Sequence, residues 1–377
     1  MFQSISHRRS ALALITTVVA MGCHADETLP LDRLSLPEGF SIAVYGKAEN
    51  ARQLARGDTG VIYTGSRQAG KVHAVADHDG DGQAEATYVI DEELALPSGV
   101  AYRAGDLYVA AVSTIYRYRN IDDHLDAPPE PEVVLDDLPG ERHHGWKHIE
   151  FGPDGYLYVP VGAPCNICDR EEPFATILKL DVDNSQDRQI VARGVRNSVG
   201  FDWDPATGDF WFTDNGRDLL GDDIPPCELN HLSEVGQHFG YPYVHGDGTR
   251  DPEYGAAGKG DYRSPALTLD PHTAPLGMMF YTGQQFPEAY RGDVLLAEHG
   301  SWNRSAEAGH IGYRLVHARR DASGALNYEV FVDGWLNDDN SRWGRPVDLL
   351  QMPDGSLLVS DDEAGVIYRL HYSADGA

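Results

Sequence analysis

The segment RHHGWKHIEFGPDG, residues 142–155, concentrates basic side chains that could do chemistry, namely His143, His144, Lys147 and His148. A neutral imidazole is a suitable base near neutral pH, and several imidazoles together can bind a metal ion. The residues from Lys147 onwards have the pattern of a strand, in which successive side chains alternate between faces. His148 should therefore point away from Lys147. A histidine metal site is disfavoured, and His143 and His144 remain in the loop before the strand.

A second group of chemical interest is the acidic segment DHDGDGQAE, residues 77–85. It places Asp77, Asp79 and Asp81 at alternate positions, and Glu85 four residues later. Alternating carboxylates on a tight loop can converge on one hard cation such as calcium. We therefore predict a structural calcium loop in a turn between strands. The alternative is a solvated acidic hairpin turn.

The cysteines limit the redox and metal chemistry. Cys165 and Cys168 form a CxxC motif that no histidine follows, which excludes the usual c-type haem attachment motif. The chain has no second CxxC, so a zinc site of four cysteines is disfavoured. In an exported protein we expect a short-range disulfide here, and a bridge from either residue to Cys227 stays open.

Arginines recur beside the predicted strands although the formal net charge of the chain is -29. That charge disfavours a nucleic-acid partner and fits a soluble protein or one that docks on a basic partner. A single arginine is usually a surface residue. Several that converge predict a pocket for a polyanionic ligand, because planar guanidinium groups match carboxylates. The arginines concerned are Arg196, Arg217, Arg304, Arg342 and Arg345.

A strand–turn–strand pattern that occurs six times predicts the elements that position these residues. The occurrences are LARGDTGVIYTGSR, VAYRAGDLYVAAV, IEFGPDGYLYVPVG, FDWDPATGDFWFTDNG, EAYRGDVLLAEHGS and LLQMPDGSLLVSDD. They start about 50 residues apart, a spacing typical of propeller blades. We predict an all-β fold, a single six-bladed β-propeller over residues 32–372, rather than a two-sheet sandwich. Ligands should bind on loops at one mouth of its central channel.

Residues 1–22 have the features of an export signal, with Arg8 and Arg9 before the apolar run ALALITTVVAMG. Two cleavage sites fit. Cleavage before Cys23 would give a lipoprotein anchored through lipid on that residue, and cleavage after Ala25 would give a freely secreted protein. We therefore expect a periplasmic or secreted protein whose contact with a membrane, if any, is the anchor at Cys23.

Several longer motifs resemble the soluble sugar dehydrogenases that depend on pyrroloquinoline quinone (PQQ), especially their sorbosone-dehydrogenase-like branch. They are HGWKHIEFGPDGYLYVPVG, RGVRNSVGFDWDP, TDNG followed by CELN, AEHGSWNRS with GYRLV, and GRPVDLLQMPDGSLLVSDD. The resemblance covers most of the mature chain and implies the same six-bladed fold. PQQ is a tricarboxylate orthoquinone, so an arginine-lined pocket would suit it.

The resemblance also implies roles for individual residues. The base that takes the hydroxyl proton falls on His144, with His143 as its alternative. The later basic residues of the cofactor site fall near Arg304 and Arg345. Contacts to PQQ fall on Arg196, Asn197 and Asn215, and backbone carbonyls that hold the calcium at PQQ fall on Gly216 and Arg217.

This sequence departs from the family at two places. Glucose-oxidising members have an aspartate that orients the base where this chain has Ala163. Another group, such as Asp169, would have to orient the base here, or none does. A glutamine of those members corresponds to the apolar segment LALPSG. We therefore expect a different substrate pocket and do not expect glucose itself.

The sequence thus predicts oxidation of an aldose or related sugar aldehyde or alcohol, dependent on PQQ and calcium. A base would abstract a proton while hydride passes to PQQ, and an external acceptor such as a c-type cytochrome would take the electrons. One alternative is a calcium-dependent lactonase propeller, but arginines stand where its converging Asn, Asp and Glu ligands should be. The other is a non-enzymatic propeller that binds a protein or another ligand.

Overall fold

The computed structural model describes residues 29–321 and 323–374 of the chain. The signal peptide predicted over residues 1–22 and the lipid attachment predicted at Cys23 lie outside the described residues. Helical structure in the described part is limited to the short 3-10 turns Leu31–Arg33, Ile121–Asp123 and Glu288–Tyr290. No helix in these described ranges is long and apolar enough to cross a membrane.

The structure confirms the predicted six-bladed β-propeller, in which each blade is an antiparallel sheet with a core of four strands. Blade one contains β2 (Ala51–Arg56), β3 (Ile62–Ser66), β4 (Val72–Ala76) and β5 (Ala86–Asp91). Blade two contains β6 (Gly99–Arg103), β7 (Asp106–Ala110), β8 (Ile115–Tyr118) and β9 (Glu132–Leu135). Blade three contains β10 (Glu150–Phe151), β11 (Leu157–Val161), β12 (Thr176–Leu180) and β13 (Arg188–Arg193).

The other three blades follow the same order. Blade four contains β14 (Phe201–Trp203), β15 (Phe210–Asp214), β16 (Cys227–Leu232) and β20 (Leu267–Leu269). Blade five contains β21 (Pro275–Phe280), β22 (Val294–Glu298), β23 (Arg314–Arg320) and β24 (Leu326–Val332). Blade six contains β25 (Pro346–Gln351), β26 (Leu357–Asp361), β27 (Val366–Tyr372) and, as its outer strand, β1 (Phe40–Lys47).

Strand β1 closes the ring, because it pairs antiparallel with β27 from Phe40 opposite Tyr372 to Lys47 opposite Val366. Neighbouring blades pack face to face through the second strands. Every residue of β3, β7, β11, β15, β22 and β26 is buried. Such strands are buried on both faces, whereas outer strands such as β5 and β24 begin with four residues that alternate between partly buried and exposed positions.

Blade five differs from the strand pattern that the sequence predicts. The segment EAY of EAYRGDVLLAEHGS is not a strand but the 3-10 turn Glu288–Tyr290, which follows Pro287. The inner strand is instead β21, which pairs with β22. Blade four carries the long insertion, in which β17 (Gln237–His238) pairs parallel with β13 of blade three. The insertion also contains a small hairpin of β18 (Val244–His245) and β19 (Thr249–Arg250).

The topology sorts the loops between the two ends of the ring. Since neighbouring strands are antiparallel, the loops before each inner strand and after each second strand lie at one end, which we call the upper mouth. The loop of residues 77–85 joins β4 to β5 and therefore lies at the opposite end. Any ligand of the upper mouth is thus separated from the predicted calcium loop by the length of a blade.

Candidate functional site

A cavity of about 740 Å³ opens at the upper mouth, and residues from all six blades line it. The start of inner strand β2 contributes Arg52, and the loops before the other five inner strands contribute, in order, Leu96, His144, Arg196, Ala274 and Arg345. Three of them, Leu96, His144 and Ala274, have positive φ angles of 51°, 51° and 52°. Non-glycine residues adopt such angles rarely and cluster at functional sites, where the surrounding structure holds them.

Six of the residues predicted for the site line this cavity: His144, Arg196, Asn197, Asn215, Gly216 and Arg345. The basic cluster of the sequence is divided, but the strand predicted from Lys147 begins only at Glu150, so strand alternation is not the reason. Lys147 does not line the cavity, and its buried ammonium group donates to the Gly145 carbonyl over 2.7 Å. His148 is also buried below the cavity, with Nε2 3.3 Å from the side-chain nitrogen of Gln53.

The imidazole of His144 is held in one orientation. Its side chain is buried, and Nδ1 lies 2.8 Å from the carbonyl oxygen of Ala163. A carbonyl can only accept a hydrogen bond, so Nδ1 carries the proton and Nε2 is left with its lone pair. Burial, and then the charge of Arg196, lower the pKa of His144 well below its usual value. The ring is therefore neutral at neutral pH and can accept a proton at Nε2.

Gly162 and Ala163, in the loop after β11, explain how His144 is held. A Cβ atom at Gly162 would lie 2.7 Å from Cβ of His144, so only glycine permits the close approach of the two loops. Asp169, which the sequence left open as an orienting group, accepts a hydrogen bond from the Tyr243 hydroxyl over 2.7 Å instead. The backbone of Ala163 does what the missing carboxylate would do.

Arg196 and Asn197 begin blade four and are fixed through their backbone. Their N–H groups donate to the two oxygens of Asp214 over 2.7 and 2.6 Å. Burial, and then the neighbouring Glu228, raise the pKa of Asp214 to about 8. The buried Asp214 carboxyl group thus supports the loop from behind the cavity.

The blade-one and blade-six side of the cavity is strongly positive. Arg345 donates to the carbonyl groups of His299 and Gly300 over 3.0 and 3.1 Å and makes no direct ion pair with a described carboxylate. The Arg67 guanidinium stacks on Trp146 at 4.1 Å and makes no ion pair with the described residues. Burial, and then the charge of Arg52, lower the pKa of Arg67 to about 10.

Arg52 completes this side. It is 2 % exposed and pairs with Asp362 over 2.9 Å, but its buried Nε atom has no hydrogen-bond partner. An unsatisfied buried donor is costly, so an acceptor is expected to occupy the cavity. Asp218 is the only carboxylate among the described lining residues, and it already pairs with Arg196 over 2.8 Å. The donor set therefore fits a ligand with several carboxylates.

Two residues predicted for the site do not reach the cavity. The Arg304 guanidinium donates to the carbonyl groups of Gly309 and Asp222 over 2.8 and 2.6 Å. The Arg217 guanidinium is paired with Asp251 and Glu253. Nearer acceptors, most of them in other loops, therefore hold both side chains. Of the two residues predicted to present calcium-binding carbonyls, Gly216 lines the cavity and Arg217 does not.

Sequence reasoning missed several lining residues, among them Arg52, Arg67, Trp146, His272 and Trp302. Arg67 directly follows the second strand of its blade, as Asn215 does in blade four, so position in the repeat could have found it. Trp302 lies at the edge of the mouth and its side chain is 66 % exposed. It offers an aromatic face to a ligand entering from solvent.

The acidic loop of residues 77–85 has the convergence that its spacing predicts. Asp77, Asp79, Asp81 and Glu85 each offer a carboxylate oxygen, and these oxygens lie within 4.8 Å of one another. Asp77 accepts from the N–H groups of Gly80 and Gly82 over 2.7 and 2.9 Å, which folds the loop tightly. Binding of a calcium ion here stays a prediction.

The cysteine pairing is resolved by the structure. Cys165 and Cys168 form a disulfide between the second and third strands of blade three. Cys227 is a free thiol that lines the cavity, and burial raises its pKa to about 11. A thiol with so high a pKa is a poor nucleophile at neutral pH.

Comparison with known proteins places the chain among sugar dehydrogenases. A family model described as glucose/sorbosone dehydrogenase matches residues 109–301, and a second, described as TrAA12-like, matches residues 251–373. An uncharacterised protein of Borreliella burgdorferi is 33 % identical over 355 residues, which cover 90 % of this chain and 91 % of that protein.

Solved structures share the fold. The holo PQQ domain of pyranose dehydrogenase from Coprinopsis cinerea matches with a TM-score of 0.72 and 18 % identity, over 90 % of this chain and 97 % of that one. The calcium structure of a Trichoderma reesei family AA12 enzyme gives 0.75 and 20 %, over 90 % and 97 %. The PQQ-bound aldose sugar dehydrogenase of Streptomyces coelicolor gives 0.63 and 18 %, over 90 % and 100 %.

Proposed function

This chain belongs to the glucose/sorbosone dehydrogenase family of quinoprotein oxidoreductases, and on that premise we propose that it oxidises an aldose or a related sugar with PQQ and calcium. One observation carries the proposal. An imidazole with a free Nε2 and a guanidinium without a carboxylate partner, those of His144 and Arg67, line the same cavity. The first can take a proton, and the second can hold an anionic cofactor.

The cavity residues would divide the work of holding the cofactor. Arg67, Arg345 and the free Nε of Arg52 would bind carboxylates, since guanidinium groups match them in geometry and charge. Arg196, Asn197 and Asn215 would add contacts on the blade-four side. For calcium, the carbonyl of Gly216 is the predicted backbone ligand that remains at the cavity. When bound, PQQ would supply an orthoquinone able to accept two electrons from the sugar.

The chain's own part in the reaction is proton transfer and positioning. His144 would accept the proton of the sugar hydroxyl at Nε2, while Ala163 holds Nδ1–H and keeps the ring oriented. Trp302 would offer a face to the sugar ring at the mouth. Because Ala163 replaces the aspartate of glucose-oxidising relatives, we propose a sugar other than glucose as the substrate.

The electrons would leave to an external acceptor. The formal net charge of -29 would favour the approach of a basic protein, such as a c-type cytochrome, through electrostatic steering. An acceptor of this kind agrees with the export signal predicted over residues 1–22, and with a periplasmic or secreted protein that is either free or anchored at Cys23.

The proposal is tested by cofactor binding first and turnover second. Purified protein is titrated with PQQ in the presence of calcium or of a chelator, and the quinone absorbance is followed. We expect saturable binding of one PQQ per chain that calcium strengthens, followed by reduction of an acceptor dye with members of a panel of aldoses and sugar alcohols. Absence of saturable binding would refute the proposal, and binding without turnover on any sugar would leave a ligand-binding propeller.

A further inference from the structure

The loop between β11 and β12 contacts both the candidate base and Arg196 through its second residue, Ala163. The Ala163 N–H group donates to the Arg196 carbonyl over 2.8 Å, and the Ala163 carbonyl accepts the proton of His144 Nδ1. The base and the backbone of the blade-four arginine are therefore both fixed to one residue, Ala163. A shift of this loop would move both.

Three residues further on, Asn166 contacts the Arg196 guanidinium directly. Its carbonyl accepts from Nε and its Oδ1 accepts from a terminal nitrogen, both over 2.9 Å. Oδ1 also accepts from the Asp218 N–H over 2.9 Å, while Nδ2 donates to the Asp218 carbonyl over 3.0 Å. Asn166 thus connects the Arg196 guanidinium to the loop that contains Asp218, whose carboxylate also pairs with Arg196.

Asn166 contacts the Arg196 guanidinium through uncharged oxygens, which is favourable in a cavity that is proposed to bind an anion. Two uncharged oxygens of Asn166 orient the Arg196 guanidinium and add no negative charge beyond that of Asp218, which pairs with it over 2.8 Å. A carboxylate at the same position would orient it equally well but would weaken the field that attracts the ligand. The residue type is therefore suited to positioning a cation that must still act on an anionic ligand.

The Cys165–Cys168 disulfide encloses Asn166 in a small ring. The segment has no regular secondary structure, so its backbone has no ladder of hydrogen bonds to hold it. The Tyr241 hydroxyl accepts from the Cys168 N–H over 2.9 Å and lies 3.4 Å from Cys165 Sγ. The crosslink reduces the number of conformations that the loop can adopt once it is detached from these contacts.

We propose that Asn166 is a positioning residue for the Arg196 guanidinium, and that the Cys165–Cys168 disulfide keeps it in place. Opening the disulfide lowers cofactor affinity while the propeller remains folded. A dithiol would deliver two electrons and two protons to the disulfide, leaving two thiols and becoming a disulfide itself. This inference rests on the proposed function, since the ligand that Arg196 would contact is PQQ.

The first test measures PQQ dissociation constants for Asn166→Ala and Asn166→Asp beside the wild type. We expect Asn166→Ala to weaken binding about tenfold, as the loss of an oriented charge-assisted contact does. Asn166→Asp keeps the shape and the oxygens but adds a negative charge, so it should weaken binding more at low salt than at high salt. Wild-type affinity in Asn166→Ala, with an unchanged melting temperature, would overturn the positioning role.

The second test asks whether the disulfide acts through Asn166. The double variant Cys165→Ser/Cys168→Ser, and wild type reduced with dithiothreitol and freed of the reagent without air before PQQ is added, should both bind PQQ about tenfold more weakly. Adding Asn166→Ala to the double variant should cost little more, because coupled residues give non-additive effects. Fully additive losses would overturn the coupling. The double variant itself should not respond to dithiothreitol, which controls for effects at other sites.

A cofactor-free measurement separates this inference from the proposed function. The Arg196 Nε–H group, observed by NMR in protein without PQQ, should exchange slowly with solvent when the disulfide is intact and faster after reduction. If wild type binds no PQQ, the proposed function fails, yet this signal still decides the positioning role. Exchange that is equally slow in both redox states would overturn it.

Discussion

The Nδ1 atom of His144 lies 2.8 Å from the carbonyl oxygen of Ala163, so a backbone group fixes the tautomer of the imidazole in the cavity. A carboxylate in that position would orient the ring and would also stabilise its protonated form. A carbonyl orients the ring with a much smaller effect on its charge. The candidate base is therefore oriented without becoming a stronger base.

Replacement of His144 by alanine should separate chemistry from binding. We expect turnover to fall by about 10²- to 10⁴-fold, the usual contribution of a positioned general base. PQQ affinity should change little, because the imidazole is not one of the cationic contacts. Dye reduction and PQQ titration measure the two quantities. His143→Ala is the matched control, and if that variant loses turnover while His144→Ala keeps it, the assignment belongs to His143.

The pH dependence of kcat/KM should show the lowered pKa of His144. Burial and the nearby charge of Arg196 disfavour the protonated ring, so the active neutral form persists well below pH 6.5. We expect kcat/KM to stay level from pH 8 down to about pH 6 and to fall only at lower pH, as protonation removes the base. The profile is measured at constant ionic strength. A descending limb centred above pH 6.5 would contradict this prediction.

Replacement of Arg67 by alanine should weaken cofactor binding. Its guanidinium has no carboxylate partner among the described residues, so its charge is available to a ligand. We expect the PQQ dissociation constant to rise about tenfold or more, with a weaker salt dependence. Arg342→Ala is the control, because Arg342 lies outside the cavity and pairs with Glu363 over 2.9 Å. If both variants weakened PQQ binding equally, the effect would come from the change in net charge and not from a direct contact of Arg67 with the cofactor.

The predicted calcium loop should affect stability and not the cofactor site. Calcium should raise the melting temperature of the wild type relative to a chelator, since a ligand that binds the folded state stabilises it. Asp79→Ala should abolish that difference. PQQ affinity at saturating calcium should be unchanged, because residues 77–85 lie at the opposite end of blade one. A wild-type melting temperature that does not respond to calcium would remove the loop as a calcium site.

Lys147 should lower the free energy of unfolding at neutral pH. Burial lowers its pKa from 10.5 to about 8, so between these values the unfolded chain binds more protons and stability rises with pH. The shift corresponds to about 3 kcal/mol below pH 8. Lys147→Met should therefore stabilise the protein by about 1–3 kcal/mol at pH 7 and remove that pH dependence.

Urea unfolding from pH 7 to pH 10 measures both effects of Lys147→Met. Lys71→Met is the control, since Lys71 pairs with Glu49 over 2.8 Å at the surface and should shift stability little. A marked loss of stability in Lys147→Met would mean that the hydrogen bond to Gly145 outweighs the burial of the charge.

The blade count was predictable because turns and alternating strands are local features. The exception is informative: EAY in blade five fits a strand pattern, but Pro287 directs it into a 3-10 turn, and the true inner strand β21 lacks the turn that marks the other repeats. Whether a segment like EAY pairs as a strand depends on neighbours that are distant in sequence. The repeats alone did not identify the residues predicted to contact the cofactor, such as Arg196, Asn197 and Asn215. Their prediction also required the family resemblance.

The direction of each arginine could not be read from the sequence. Arg304 lies six residues after β22 and Arg345 directly precedes β25, so both belong to loops of the upper mouth, but only Arg345 reaches the cavity. The difference is set by which acceptor is nearest, and for Arg304 that is the Asp222 carbonyl of another loop. The role of Ala163 was also hidden, because a backbone carbonyl leaves no trace in the residue type.

The pairing of β1 with β27 determines when, during synthesis of the chain, the propeller can close and form the cofactor cavity. A growing chain makes β1 first and β27 last, so the ring can close only after nearly the whole chain has been synthesised. Arg52 and Arg67 lie on one side of that seam and Arg345 on the other. A chain interrupted before Val366 would have five complete blades and no intact cofactor cavity, so cofactor loading reports completion of the fold.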